Sequence, residues 1–248
     1  SMRGASLERA AFETVDMVEA DLFSARIVDA KLADVDLSRA ELGTSIWLGA
    51  TAEFCSFVGA KLVEAVFERT KLLACDFDGT SLQRIYATLT SFEASTFTAA
   101  TNFGGFKAHG LVSFESAVLS GAQLGSLRAN VDAVALVGPN PTEINFQSAT
   151  LVGTNFSGAV LNDCEFGMSQ APGADFSDAQ LRRVDFTSST LSGSSFRRAQ
   201  ISDAQFVKVD LQNADFRDAL GVFAAEFTLA RGSALGLPQV STSPLGPG

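Results

Sequence analysis

Histidine occurs once in the 248 residues, at His109, and cysteine three times, at Cys55, Cys75 and Cys164. A single histidine leaves any His–Ser or His–Cys pair only one place to be built, the stretch "GGFKAHG", which reads as a packed or solvated loop rather than a catalytic one. Three scattered cysteines match neither a disulfide framework nor a zinc spacing. P-loop, G-x-G-x-x-G and H-E-x-x-H motifs are all missing, as is the G-G-x-G-x-D calcium repeat. These absences predict a chain that is not an enzyme and holds no cofactor or metal.

Long apolar runs are lacking too. Hydrophobic residues make up 46% of the chain, yet no run approaches the roughly 18 residues of a membrane-spanning helix. The start is not basic and then apolar, so the expectation is a cytoplasmic protein with no membrane contact. Positive charge is scarce: 18 Lys and Arg stand against 28 Asp and Glu, for a net charge of −10. That balance disfavours direct binding of nucleic acid, which needs a basic patch. A basic partner is compatible with it.

What the sequence does contain is a period. In the stretch from Ala174 to Ala219, Phe176, Leu181, Phe186, Leu191, Phe196, Ile201, Phe206, Leu211 and Phe216 fall on every fifth position. A helix repeats apolar residues at 3.6 and a strand at 2, so this spacing points to a repeat architecture. Calling the large apolar residue i, position i−2 is small (Ala174, Ala179, Val184), i−1 is often Asp, Asn or Gln, and i+1 and i+2 are polar. The same rule runs from Leu7 through Phe12, Met17, Leu22 and Ile27 to Phe97, with Ala52 and Ala87 as misses. It holds again from Val131 to Phe216, where Pro141 and Ala171 are the exceptions, and Phe114, Leu119 and Leu124 keep the spacing between. The register slips by two residues within 98–113 and by two more within 125–130.

The pattern A-(D/N)-(L/F)-x-x resembles the pentapeptide-repeat family over residues 5–219. The resemblance implies an all-β fold, a right-handed quadrilateral β-helix in which five residues form one face and four faces close a coil of 20. Positions i and i−2 then point inward. The sequence carries its own check on 20. Phe156, Phe176, Phe196 and Phe216 form one column at that spacing, and Phe146, Phe166, Phe186 and Phe206 form another on the opposite side. Opposite charges recur at i+2 with the same spacing: Arg9 and Asp29, Glu19 and Arg39, Glu64 and Arg84, Asp163 with Arg183 and Asp203, Asp178 with Arg198 and Asp218. All three cysteines sit at i−2 and read as small buried hydrophobes. About ten coils at about 4.8 Å each predict a rod of roughly 50 Å.

No composition break divides residues 1–219, which read as one domain. The fives then stop. Leu220, Phe223, Phe227 and Ala230 follow at helical spacing, so residues 220–237 are expected to form a short capping helix and tail that closes the last coil. Residues 238–248, which end in "STSPLGPG", are expected to be disordered.

Two outward features are candidates for binding. One is acidic: Asp16, Asp36 and Asp76 share one i−1 column, Asp21 and Glu41 the next, and Asp175 and Asp215 align further on. Turn formation explains Asp at this position, since its side chain bonds nearby backbone. The alternative is that an acidic rod imitates duplex DNA. In this respect the chain resembles pentapeptide proteins that protect DNA gyrase from quinolones and other topoisomerase poisons, which implies a partner such as DNA gyrase or topoisomerase IV, bound by charge complementarity. With only two residues added at each slip, long projecting loops are not expected. The chain then resembles the loopless members, which pair through their C-terminal ends, and Leu220, Phe223 and Phe227 would supply that homodimer contact or a cap. The second feature is apolar: Ile46, Val66 and Tyr86 share an outward i−1 column, with Leu48 and Leu89 nearby and Phe54 beside them. Such a patch marks a contact site for some other partner in a scaffold or effector module, or a surface covered by the chain itself.

Overall fold

Each large apolar residue turns inward and lies beneath the one a coil later. In the computed structural model the described residues are 1–98, 100–103, 106–119, 124 and 144–237, without the side chains of 108–111. Ring centroids of Phe156, Phe176, Phe196 and Phe216 follow one another at 4.9, 5.0 and 4.6 Å, nearly parallel. The column of Phe146, Phe166, Phe186 and Phe206 steps at 4.7, 4.9 and 5.1 Å. The two columns meet edge to face, Phe176 against Phe186 at 5.5 Å and 80°. Burying each Phe or Leu contributes about 1.5–3 kcal/mol, and each favourable ring pair adds about 0.5–1.5 kcal/mol. The interior is thus one continuous apolar column along the rod.

The corners come from position i+2. Arg9, Glu19, Arg39, Asp178 and Asp218 have φ of 55°, 58°, 56°, 59° and 62°, the left-handed region, and nearly every described face repeats this. That conformation costs an L-residue about 1–2 kcal/mol, which the inward burial of its own face offsets. Gly59 and Gly79 take the corner without that cost.

Four faces follow in chain order. Their first centres are Leu7 (face one), Phe12 (face two), Met17 (face three) and Leu22 (face four), and Ile27 begins face one again. Face two carries β1 (Ala11–Glu13), β3 (Lys31–Ala33), β5 (Thr51–Glu53) and β7 (Lys71–Leu73); face one carries β2 (Arg26–Val28), β4 (Ile46–Leu48) and β6 (Val66–Glu68). β8 (Tyr86–Ser91) and β9 (Lys107–Ser113) are long enough to run round the corner between these faces, and β10 (Ile144–Asn145) pairs with β9. All pairings are parallel, and from β1 to β8 they step by 20 residues, Arg26 with Ile46 and Ile46 with Val66. On face three a ladder runs from Asp16 through Asp36, Ser56, Asp76, Thr96, Val118, Thr150, Gln170, Thr190 and Asp210 to Arg231. Its ten steps span about 48 Å at strand spacing.

This ladder locates the irregular steps. Asp76 pairs with Thr96, a step of 20, but Ser81 pairs with Asn102, a step of 21. A bulge follows where Thr88 pairs with His109 and Thr90 with Val112. His109 therefore lies in strand β9, not in a loop. The second slip was expected to add two residues within 125–130. Val118 instead pairs with Thr150, a step of 32, twelve more than a regular coil. Two and twelve are indistinguishable when only the spacing of five is counted, so the expectation of a chain without long insertions is corrected here. The centres Val131 and Pro141 lie outside the described residues.

The small i−2 residues do more than leave room. Thr70 Oγ1 donates to the carbonyl of Trp47 at 2.7 Å, Thr80 Oγ1 to Phe57 at 2.7 Å and Thr154 Oγ1 to Leu119 at 2.6 Å. Ser95 Oγ and Cys75 Sγ reach Leu72 and Ala52 in the same way. Each satisfies a buried carbonyl of the coil below. Ser169 breaks the rule: its buried hydroxyl has no partner, beside Ala171, which interrupts the column of Leu151 and Leu191. All three cysteines are buried and free. The Cys55 thiol beside it, together with burial, holds the Cys75 pKa well above the usual thiol range, so the Cys75 thiol remains protonated.

The last coil departs from the expected helix. Glu226 pairs with Gln205, Arg231 with Asp210 and Leu235 with Asp215, so the coil continues through residue 235. Only a single 3-10 turn, Val222–Ala224, interrupts it. Helical spacing misled because Leu220 is an outward i−1 residue, Phe223 projects from that turn, and Phe227 is a true centre, stacked on Phe206 at 4.9 Å and 6°. Residues 238–248, expected to be disordered, lie outside the described residues.

Candidate partner-binding faces

The acidic candidates gather on two adjacent faces. Asp16, Asp36 and Asp76 stack on face three; Asp21 and Glu41 pair on face four, and Asp175 and Asp215 occupy face four of the C-terminal half, separated by Ser195. Each aspartate uses one carboxylate oxygen in its own turn. The Val18 N–H donates to Asp16 at 2.9 Å, Ser38 to Asp36 at 2.8 Å, Asp78 to Asp76 at 3.0 Å, Phe23 to Asp21 at 3.3 Å, Ser177 to Asp175 at 2.9 Å and Arg217 to Asp215 at 3.0 Å. Asn145 and Asn155 accept the same bond without charge. The turn-forming role is therefore real.

Cations are distributed unevenly around these carboxylates. On face four Arg3 lies 3.3 Å from Asp21, Lys61 2.5 Å from Glu41, and Arg217 and Arg197 lie 2.6 and 3.5 Å from Asp215. The Arg217 guanidinium lowers the Asp215 pKa to about 2. Face three of the N-terminal half adds Glu19 and Asp78 to its three aspartates and has Arg39 as its cation, already paired with Glu19 at 2.9 Å. The Ser38 hydroxyl and N–H hold the Asp36 carboxyl below its ordinary value. Face three is thus the less neutralised of the two. Of the i+2 ladders, Glu64–Arg84, Asp163–Arg183 and Asp178–Arg198 form as ion pairs. Arg9 departs from the expected partner Asp29 and pairs with Glu8 at 3.3 Å.

The apolar candidates lie on face one, opposite face three. Ile46, Val66 and Tyr86 are consecutive rungs, and Leu48 stands beside Ile46 in β4. Tyr86 is 48% exposed and Leu89, at the corner to face two, 53%. Phe54, 65% exposed, sits at the far corner of face two, away from this ladder. At the C-terminal end Phe223 is 93% exposed and Leu220 is also exposed, whereas Phe227 is packed on the core. The three candidates there divide accordingly: Phe227 is packed inward, and Leu220 and Phe223 are exposed.

Among the described residues no cluster of three or more His, Cys, Asp or Glu could hold a metal, and no helix is long and apolar enough to cross a membrane. Residues 139–216 match the pentapeptide repeat region, and residues 1–39 and 49–85 match pentapeptide repeats in eight copies. The chain belongs to the pentapeptide-repeat family. No curated protein matches it in sequence. Among solved structures it is similar to HetL, a pentapeptide-repeat protein involved in heterocyst differentiation regulation in the cyanobacterium Nostoc sp. strain PCC 7120, at 18% identity and TM-score 0.43, over 93% of this chain and 88% of that one. It is also similar to QnrB1, a plasmid-mediated fluoroquinolone resistance protein, at 20% identity and TM-score 0.36, over 90% and 91%. A pentapeptide-repeat protein of the Arabidopsis thaliana thylakoid lumen matches at 24% identity and TM-score 0.29, over 35% of this chain and 56% of that one.

Within this pentapeptide-repeat rod the sequence located the columns but missed the cations that accompany them. Arg3, Arg197 and Arg217 neutralise face four from positions i+1, and only stacking them at 20-residue spacing beside Asp21 and Asp215 reveals it.

Proposed function

We propose that the chain is a non-catalytic interaction rod whose acidic surface, face three above all, occupies the basic DNA-binding groove of a type II topoisomerase, DNA gyrase or topoisomerase IV, in resistance to topoisomerase poisons. The observation that carries this reading is the stack of Asp16, Asp36 and Asp76 with Glu19 and Asp78 on one flat face that has Arg39 as its cation. Duplex DNA presents closely spaced negative charge along a straight axis, and carboxylates fixed at rungs of about 4.8 Å offer a comparable rigid array. The location is then the cytoplasm, and exposed Leu220 and Phe223 would join two rods end to end into a longer array. The coarser alternative is a protein-interaction scaffold with an unrelated partner.

The test uses the triple variant Asp16→Asn, Asp36→Asn, Asp76→Asn. Asparagine keeps the turn bond, as Asn145 and Asn155 do, and removes the charge. Wild type is expected to inhibit gyrase supercoiling, or to relieve quinolone poisoning, at micromolar concentration, and the triple variant to lose that effect with an unchanged melting temperature. Inactivity of the wild type in both assays would remove the topoisomerase reading.

A further inference from the structure

Face one, on the other side of the rod from the acidic stack, carries a different kind of surface. We infer that its ladder of Ile46, Val66 and Tyr86, with Leu48 beside it, docks an amphipathic helix of a partner protein bearing acidic residues at both ends of its apolar stripe.

Charge defines the ends. The ladder continues downward to Arg26 and upward to Lys107, so cations bracket the apolar rungs on a chain whose net charge is −10. Arg26 is exposed and has no ion-pair partner among the described residues. Lys107 lies over the Tyr86 ring at 4.9 Å, with its Nζ 3.1 Å from the Tyr86 hydroxyl, and so extends the apolar stripe and ends it in a cation. At the corner to face two, Lys71 and Leu89 line a shallow cleft of about 240 Å³ with Ser91, Ser113 and Arg69, the last paired with Glu68 at 3.0 Å.

A second copy of this chain fits poorly. A two-fold axis lying in the interface and running across the rod would set Arg26 against the partner's Lys107, and one running along the rod would set Arg26 against Arg26. Both arrangements oppose like charges. Backbone chemistry selects the occupant's conformation. The N–H and C=O groups of β4 and β6 are already used by the coils above and below, so face one offers no edge to an added strand. An extended peptide would leave its own backbone groups unpaired, whereas a helix satisfies them internally. The four steps from Arg26 to Lys107 span about 19 Å, the length of about 13 helical residues.

The experiment uses the full chain and a synthetic amphipathic helix of that length with a Leu and Phe stripe and Glu pairs at both ends, labelled for fluorescence anisotropy. A control peptide replaces the Glu pairs by Lys. The Glu-ended peptide is expected to bind about tenfold tighter than the control, and the double variant Ile46→Ser, Tyr86→Ser to lose about tenfold or more. Arg26→Gln, on an exposed side chain, keeps the test valid if the double variant folds poorly; it should weaken the Glu-ended peptide alone. Equal binding of both peptides, no binding of either, unchanged affinity in Arg26→Gln, or self-association of the rod that Tyr86→Ser abolishes would each overturn the proposal.

Discussion

The two halves of the rod obey one five-residue rule with two backbones. Toward the N-terminus, faces one and two are three-residue strands, and the centres Ile27, Trp47, Phe67, Leu32 and Leu72 accept no turn bond from residue i+3. In the C-terminal half such a bond closes almost every regular face, as with Ala159 N–H on Phe156 at 2.9 Å and Ala179 N–H on Phe176 at 3.1 Å. The outward residues account for part of the difference. Strand faces have Ile46, Thr51, Val66 and Tyr86 at i−1, which favour a pleated surface, together with Lys31 and Lys71; turn faces have Asp36, Asp76, Asn155, Asp175 and Asp215, which fold their side chains back onto the backbone, together with Thr150 and Val160. The inward columns specify the rod, and the outward residues contribute to how each side is drawn.

The largest break in this comparison should come from the interior of the turn-only half. Phe186→Asp places a carboxylate between Phe166 and Phe206, with a cost of several kcal/mol. Proteolysis is expected to degrade the C-terminal half first, and a native circular dichroism melt would contradict the column account. In the strand half, Thr70→Val keeps the shape but leaves the buried Trp47 carbonyl without its donor, a loss of about 1–3 kcal/mol in denaturant unfolding. Ser169→Ala is the converse, since its hydroxyl has no partner, and should be neutral or stabilising by up to about 1 kcal/mol. Acid should also weaken the C-terminal end. The folded pKa of Asp215 is lowered to about 2, so its contribution is complete above the unfolded value of about 4 and is lost as the pH falls through about 2. Asp215→Asn is expected to flatten the stability profile in that window. Least of all, Arg183→Gln removes an exposed pair with Asp163 at 2.6 Å and should cost no more than about 1 kcal/mol.

Legibility in the sequence had a clear physical limit. Inward positions were readable because apolar burial enforces them at every face, and the stacking of Phe on Phe at 20 residues revealed the four-sided coil. Counting fives could not separate an insertion of two from one of twelve between Val118 and Thr150, because the register returns to the same value. Leu220, Phe223 and Phe227 imitated a helix although only Phe227 points inward. On the surface, turn aspartates and functional aspartates look identical in sequence, and only the placement of Arg3, Arg197 and Arg217 distinguished a neutralised face from a charged one.

A solenoid with bare ends is one translation away from a filament. In the final coil Gly232 and Gly236 stand where a centre residue would, and a Cβ on either would come within 2.5 Å of the backbone nitrogen of Gln212 or Arg217 beneath. At these two faces the chain therefore lies flat on its predecessor and offers no side chain on which another molecule's column could stack, which leaves Phe227 as the aromatic centre of this coil. Replacing these glycines by larger residues would lift the chain there and widen the surface open to growth, so two residues without side chains narrow the route by which the rod could lengthen.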